Sequence, residues 1–165
     1  MVEIKDKEMH MISVTAIIYK KDPNPTDGQV GVFKYLITRR SLKKKAFPGQ
    51  WVVPGGGLEV DDYIDTPKNS GGLWYNAVTN SLKREVMEEV NLKVGKLDFL
   101  CDITFIRSDG IPVIILSYYG PYESGDVKLD EDNTEFAWVT AEEAKEYDLI
   151  DGVLGEIEEV EEILT

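Results

Sequence analysis

Leu82, Val86 and Val90 recur at every fourth position through a segment, residues 83–89, that is otherwise almost wholly charged. That spacing belongs to an α-helix with one apolar stripe, and such a helix persists only against another apolar surface. The chain supplies that surface as strands. Residues 10–20 (HMISVTAIIYK) are rich in β-branched side chains and residues 30–39 (VGVFKYLITR) alternate, so the pair reads as an antiparallel hairpin. Residues 21–28, with Pro23, Pro25, Asp27 and Gly28, read as the turn between them. Residues 50–53 form a short strand entering Gly55-Gly56-Gly57. The helix is expected from about Leu73, with Asn91 as its C-cap, because asparagine tolerates the left-handed conformation.

Beyond it, residues 92–105 and 111–119 read as two strands joined around Arg107 to Gly110, and residues 135–139 as a last strand. Thr140 followed by Glu143 is a capping box that starts a helix. Ile150, Val153, Leu154, Ile157, Val160 and Leu164 place a stripe on a final helix whose other faces are acidic. That helix reads as a solvated amphipathic element, its stripe also available to a homodimer. The order strands, helix, strands, helix predicts an α+β fold, an α/β/α sandwich in one domain over residues 1–165. Strict βαβ alternation is missing.

Charge narrows the partners. Eighteen basic against thirty-one acidic residues leave −13, which works against nucleic-acid polymers and anionic membranes. Residues 28–58 hold no acid and six bases, Lys34, Arg39, Arg40, Lys43, Lys44 and Lys45. This island suits a small phosphate compound, or is a solvated loop. No apolar run is long enough for a bilayer, and Met1 to Glu8 carries acids where a signal peptide needs bases. With one cysteine, Cys101, and one histidine, His10, neither an internal disulfide nor a Cys/His zinc cluster is available. A soluble, cytoplasmic protein is the expectation. Both residues read as structural.

Glu85, Glu88 and Glu89 fall on one face of the predicted helix. Like charges at that spacing repel by a few tenths of a kcal/mol for each exposed pair, about 0.2–0.5. Two readings stand: a solvated acidic face, or oxygen ligands for Mg²⁺ or Mn²⁺.

The surroundings favour the second. Gly56, then Arg84, Glu85, Val86, Glu88, Glu89 and Leu92, resemble the Nudix box, G-x5-E-x7-R-E-U-x-E-E-x-G-U with U aliphatic. Leu36 to Arg40, Pro48 to Trp51, and Glu131 to Val139 before a helix look like that family's flanking segments, so the resemblance spans about residues 10–147. Three departures stand out. Asp62 occupies the first glutamate's position, Asn91 replaces the glycine, and 21 residues separate Asp62 from Arg84 where the pattern has seven. The 14 extra residues, about 63–76, include Trp74 and Tyr75.

The resemblance implies a Nudix-type sandwich with a mixed sheet and a Mg²⁺- or Mn²⁺-dependent hydrolase of a nucleoside diphosphate linked to another moiety. It implies Glu85 and Glu89 as main metal ligands, Glu88 as a further ligand or hydrogen-bond partner, and the Gly56 carbonyl beside them. Arg84 would orient the glutamates, with Glu59 and Asp62 auxiliary on the loop side. For the general base, Glu131, Asp132 and Glu135 are local candidates, Glu131 foremost. Arg39 and Arg40 are candidates to grip phosphates, although an alternating strand turns only one inward. Trp74 and Tyr75 either stack on a base or pack a lengthened helix. A non-hydrolytic Nudix-like module that binds a nucleotide or sugar nucleotide is the alternative, disfavoured because all three glutamates are present.

Overall fold

A computed structural model describes residues 7–23 and 31–165; the turn expected over residues 21–28 and the start of the second strand at Val30 lie mostly outside them. The backbone of the fold is a mixed sheet. Its longest pairing is parallel, between β1 (Met11–Lys21) and β7 (Pro112–Ser124), in register from Met11↔Val113 to Tyr19↔Pro121. β1 also meets β2 (Phe33–Arg40) antiparallel, as the hairpin reading requires, but only from Tyr19↔Tyr35 to Lys21↔Phe33.

Beyond that short contact the two strands splay. Residues 51–57 fill the gap: β3 (Trp51–Val52) pairs with β2, and β4 (Gly55–Gly57) crosses to pair with β1. The Ala16 N–H, left without a β2 partner there, donates to the Pro54 carbonyl at 2.9 Å. The glycine turn is thereby held by hydrogen bonds at the fork in the sheet.

On the outer edges, β8 (Asn133–Val139) pairs with β2 and β6 (Asp98–Ile106) with β7. The expected strand over residues 92–105 is divided. β5 (Lys93–Val94) and β6 are separate, because Pro121 of β7 has no N–H to give the ladder and the chain at Lys96 crosses over Gly120. A Cβ on Gly120 would stand 2.8 Å from the Lys96 carbonyl oxygen.

Alternation in the strands sends side chains to two faces. Val14, Ala16, Ile18 and Leu36 pack against Leu82, Val86 and Val90 of α1 (Ala77–Val90). Ile17, Tyr35, Ile37 and Val139 pack against Val153, Ile157 and Val160 of α3 (Val153–Leu164), with Ala144 of the one-turn α2 (Ala141–Ala144). The Thr140 capping box is formed. The α3 stripe lies in the chain's own core, with Ile157 and Val160 wholly buried, which corrects its reading as a free element available to a dimer.

Helix α1 begins at Ala77, four residues later than expected. Gly71, Gly72 and Asn76 have φ of 82°, 76° and 62°, which no continuing right-handed helix accepts. Asn91 closes α1 in the left-handed region at φ 58°, as its sequence position implied.

Candidate active site

Helix α1 and the glycine turn meet face to face. Gly56 pairs with Val14, and a Cβ on it would fall 2.2 Å from Glu85 Cδ and 2.4 Å from both carboxylate oxygens. The space a side chain would fill is therefore taken by the Glu85 carboxylate. Gly55 is equally constrained, its missing Cβ 2.2 Å from the Val14 carbonyl oxygen, and its N–H donates to Glu89 Oε2 at 3.0 Å. Two carboxylates from successive turns of α1 thus lie against one backbone turn, which explains the glycines in steric terms.

Burial outweighs the hydrogen bond from Gly55 and pushes Glu89 up to about 7, with the charges of Asp130 and Glu85 adding to the rise and Arg40 opposing it. Burial also raises Glu85, against the pull of Arg84.

Arg84 is the hub of the other side. Its guanidinium donates to Asp62 Oδ1 at 2.5 Å, to Glu88 Oε2 at 2.8 Å and to Glu85 Oε1 at 2.8 Å. The Asp62 side chain, 4% exposed, also accepts the Glu59 N–H at 2.8 Å. The hydrogen bond from Arg84 holds Asp62 down at about 2 despite burial. This shorter acid at the first glutamate position anchors Arg84. Glu88 is 58% exposed and, with Glu59, Asp61, Asp62, Asn80 and Arg84, lines an open depression of about 540 Å³.

The three helix glutamates are therefore divided: Glu85 and Glu89 at the glycine turn, Glu88 towards the depression. Among the described residues no three Asp, Glu, His or Cys side chains converge on one point. The donor set at the turn still fits a hard divalent cation. It consists of carboxylate oxygens, and both carboxylates are raised by burial, a penalty that nearby positive charge would relieve.

The two arginines of β2 separate as alternation requires. Arg40 is the one whose charge reaches Glu89, while its Nε donates to the Ala46 carbonyl at 3.0 Å. Arg39 is tied to the Gly49 carbonyl at 2.9 Å and to Glu135 Oε1 at 2.6 Å.

Asp130, which the sequence reading passed over, shapes this side. Its Oδ1 accepts the N–H groups of Asp132 and Asn133 and the Asn133 amide, locking the turn. Its own N–H donates to the Glu89 carbonyl at 3.1 Å, and Lys128 does the same to Val90. The signal was present as Asp130-x-x-Asn133, a side-chain turn pattern. Glu131 is exposed on this docked loop. Lys44 Nζ holds Asp132 at 2.6 Å.

The insertion folds on itself. Trp74 packs on Tyr63 with centroids 5.3 Å apart, its indole N–H donates to the Thr66 carbonyl at 3.1 Å, and Lys68 sits 4.7 Å over its ring. Tyr75 is 58% exposed. Neither ring lengthens α1, so that alternative is removed. His10 lies in a separate hollow on the β6–β7 edge with Phe105 and Val113, and Cys101 is a part-buried free thiol. No helix among the described residues is long and apolar enough to cross a membrane.

Comparisons with known proteins converge. The sequence matches the NUDIX domain over residues 9–157. Nucleoside triphosphatase NudI of Escherichia coli O81 (strain ED1a) is 30% identical over 125 residues, covering 70% of this chain and 79% of that protein. NudI of Klebsiella pneumoniae (strain 342) is 29% identical over the same extent. Among solved structures, the MutT protein of Methanosarcina mazei Go1 superposes with a TM-score of 0.66 at 24% identity, covering 96% of this chain and 98% of that one. The NUDIX domain of Shewanella oneidensis NrtR, solved with ADP ribose, gives 0.69 at 18% identity, covering 96% and 90%. Nudix hydrolases generally use divalent cations. The chain belongs to the Nudix family and is a pyrophosphohydrolase of that family's kind, acting on nucleoside diphosphate derivatives.

Proposed function

We propose that this chain is a Mg²⁺-dependent pyrophosphohydrolase that cleaves the diphosphate bond of a nucleoside diphosphate linked to another moiety. The observation that carries the proposal is the pair Glu85 and Glu89, pressed onto the Gly55–Gly56 backbone where burial outweighs the hydrogen bonds from Arg84 and Gly55. Glu85, Glu89 and the Gly56 carbonyl would hold Mg²⁺ or Mn²⁺, with Glu88 a further ligand. Such an ion, when bound, polarises phosphoryl oxygens and makes water a stronger nucleophile.

The chain's own residues do the rest. Arg84 fixes Glu85 and Glu88 from both sides, so these acids are ordered before substrate arrives. Arg40, whose charge acts on Glu89, offers a positive charge for a phosphate oxygen, and Arg39, bound to Glu135, is the second candidate. Glu131, on the loop docked to the end of α1, accepts the proton of the attacking water as it bonds to phosphorus and the bridging P–O bond breaks. The partner is a small nucleotide, and neither nucleic acid nor membrane suits a net charge of −13. A cytoplasmic setting suits the lone free thiol.

Because the NudI relatives are nucleoside triphosphatases, triphosphates head the list of substrates to try. The test is phosphate or nucleoside monophosphate release from triphosphates, ADP-ribose-type compounds, dinucleoside polyphosphates and sugar nucleotides, with Mg²⁺ and in excess chelator. Metal-dependent turnover of at least one class is expected. Turnover undiminished in chelator refutes the metal-dependent mechanism, and tight binding of a nucleotide without turnover would favour a sensing module.

A further inference from the structure

A hydroxyl sealed inside a protein normally has a partner, because burying one without a hydrogen bond costs free energy that a methyl group of the same shape does not. Among the described residues two buried side-chain oxygens have none, Thr38 Oγ1 and Ser81 Oγ. Ser81, on α1 one turn before Glu85, lies near enough to Asp62 to help lower it. Thr38, in β2 and 0% exposed, remains unexplained.

Its place in the fold adjoins the glutamates. Alternation puts Leu36, Thr38 and Arg40 on one face of β2. Leu36 packs with Leu82, Val86 and Val90 of α1, and the charge of Arg40 reaches Glu89, so Thr38 lies between two side chains that face the same helix. Along the sheet it stands at the fork. The Tyr19↔Tyr35 register, continued, would set Thr38 opposite Ala16, where the strands have parted and the Pro54 carbonyl has taken the Ala16 N–H. Thr38 pairs instead with Val52; three residues further on, Gly55 pairs with Thr15 and gives its N–H to Glu89. The segment that bridges β2 and β1 thus starts beside Thr38 and ends under Glu89.

Glu89 has a need that a hydroxyl answers. Its Oε2 accepts the Gly55 N–H, and among the described residues its Oε1 accepts no hydrogen bond. A carboxylate that ligates a cation is itself hydrogen-bonded by a further donor, which fixes its orientation. On this face of β2, Leu36 has nothing to donate and the Arg40 Nε is taken by the Ala46 carbonyl. Thr38 has a proton and no acceptor, at a strand position where valine would fill the same space without the cost.

We propose that Thr38 is a positioning residue for Glu89: its hydroxyl donates to the Glu89 carboxylate when a divalent cation draws that side chain into its ligating position, and stands idle in the metal-free fold. This rests on the metal-dependent pyrophosphohydrolase reading of the Glu85–Glu89 turn. Thr38 itself touches neither cation nor substrate.

Two variants separate this role from packing. Thr38→Val keeps the shape and removes the hydroxyl, whereas Thr38→Ser keeps the hydroxyl and removes a methyl group. Mn²⁺ is titrated calorimetrically into metal-free protein, and melting temperatures are measured in chelator. Thr38→Val should bind Mn²⁺ about tenfold more weakly than wild type, the lower end of what losing such a partner costs. It should nevertheless melt at the same temperature or higher, because an unpaired hydroxyl has gone. Thr38→Ser should melt lower, through the small cavity it leaves, and hold Mn²⁺ within about twofold of wild type. The two variants then rank one way in stability and the opposite way in affinity, which packing alone does not produce.

Unchanged Mn²⁺ affinity in Thr38→Val overturns the proposal. So does a lower melting temperature of that variant in chelator, which would show that the hydroxyl already has a partner in the metal-free fold. If wild type binds no Mn²⁺ at all, the metal-dependent reading itself fails and the positioning role falls with it.

Discussion

Helices α1 and α3 cover opposite faces of one sheet, and their sequences look alike: an apolar stripe every three or four residues and glutamates between. What differs is the surface opposite the acids. In α3, Glu156 accepts a hydrogen bond from the Ser117 hydroxyl and Glu161 accepts one from Tyr35 at 2.5 Å, so side chains on the strands satisfy them. In α1, Glu85 and Glu89 face glycine backbone, with one N–H for Glu89 and no hydroxyl provided. An acidic helix acquires chemistry from what it is pressed against. Partners that satisfy the acid make it structural, and a bare turn leaves it with oxygen lone pairs to offer.

The most forceful way to break this comparison is to neutralise one acid on each helix. Glu89→Gln should lower kcat/KM at least about a hundredfold, because charge stabilisation at a metal site is worth several kcal/mol. Glu156→Gln should leave kcat within about twofold, since it exchanges one hydrogen-bond acceptor for another away from the site. Steady-state kinetics with Mg²⁺ and Mn²⁺ decide it. Equal losses in the two variants would mean that both glutamates serve the fold, and the contrast would collapse.

Proton linkage sharpens the same contrast in stability. In the metal-free protein Glu89 keeps its proton up to about 7, whereas its ordinary value is 4.5. Between those values the folded state binds more protons than the unfolded one, so stability is lost as pH rises from about 4.5 to 7, by roughly 1–3 kcal/mol. Asp62 works in the opposite direction. Held at about 2 by Arg84, it contributes stability that is fully present above its ordinary 3.8 and lost as pH falls through 2. Thermal melts in chelator should therefore show Glu89→Gln flattening the upper slope and gaining stability at neutral pH. Arg84→Gln should flatten the lower slope and lose stability, because Asp62 is left buried without its cation. A Glu89→Gln variant markedly less stable at pH 7.5 would show that the acid is a structural anchor.

Local signals made much of this readable from the chain. The alternation in β1 and β2, the Leu82-Val86-Val90 stripe, Asn91 at the helix end and the Thr140–Glu143 box each act within a few residues, and each appears in the fold. The features missed depend on distant partners. The late start of α1 follows from Gly71, Gly72 and Asn76 acting together with a hydrogen bond from Tyr75 N–H to the Asn69 side chain at 3.0 Å. The β5–β6 division depends on Pro121 in another strand, and the place of Asp130 depends on a loop docking onto helix carbonyls. At the candidate site, the placing of Glu85 and Glu89 on one helix was legible because Arg84 to Glu89 is an unbroken run. The division of Glu88 from Glu85 and Glu89 was not, since it is set by Arg84 and Asp62, 22 residues apart.

The smallest expected effect concerns the insertion, where two adjacent aromatic rings have been given different surroundings. Trp74 is already used: a ring partner in Tyr63, a carbonyl for its N–H and an ammonium over its face hold the loop together. Tyr75 is its neighbour in sequence, yet its ring is more than half exposed beside the start of α1. If that ring stacks on a substrate base, the contact is worth about 1–3 kcal/mol where alanine substitution has tested it. Exposure puts Tyr75 at the low end of that range, so Tyr75→Ala should raise KM about fivefold with kcat nearly unchanged. Trp74→Ala should instead open the loop, seen as faster proteolytic cleavage within residues 63–76, with a smaller and less base-selective change in KM. Tyr75→Phe should behave as wild type, because stacking needs the ring and not the hydroxyl. If Tyr75→Ala leaves KM and base preference untouched for every nucleotide turned over, the exposed ring takes no part in substrate choice. The insertion would then be a self-folded ornament at the N-terminus of the catalytic helix, and specificity would have to be read from the β2 side of the turn alone.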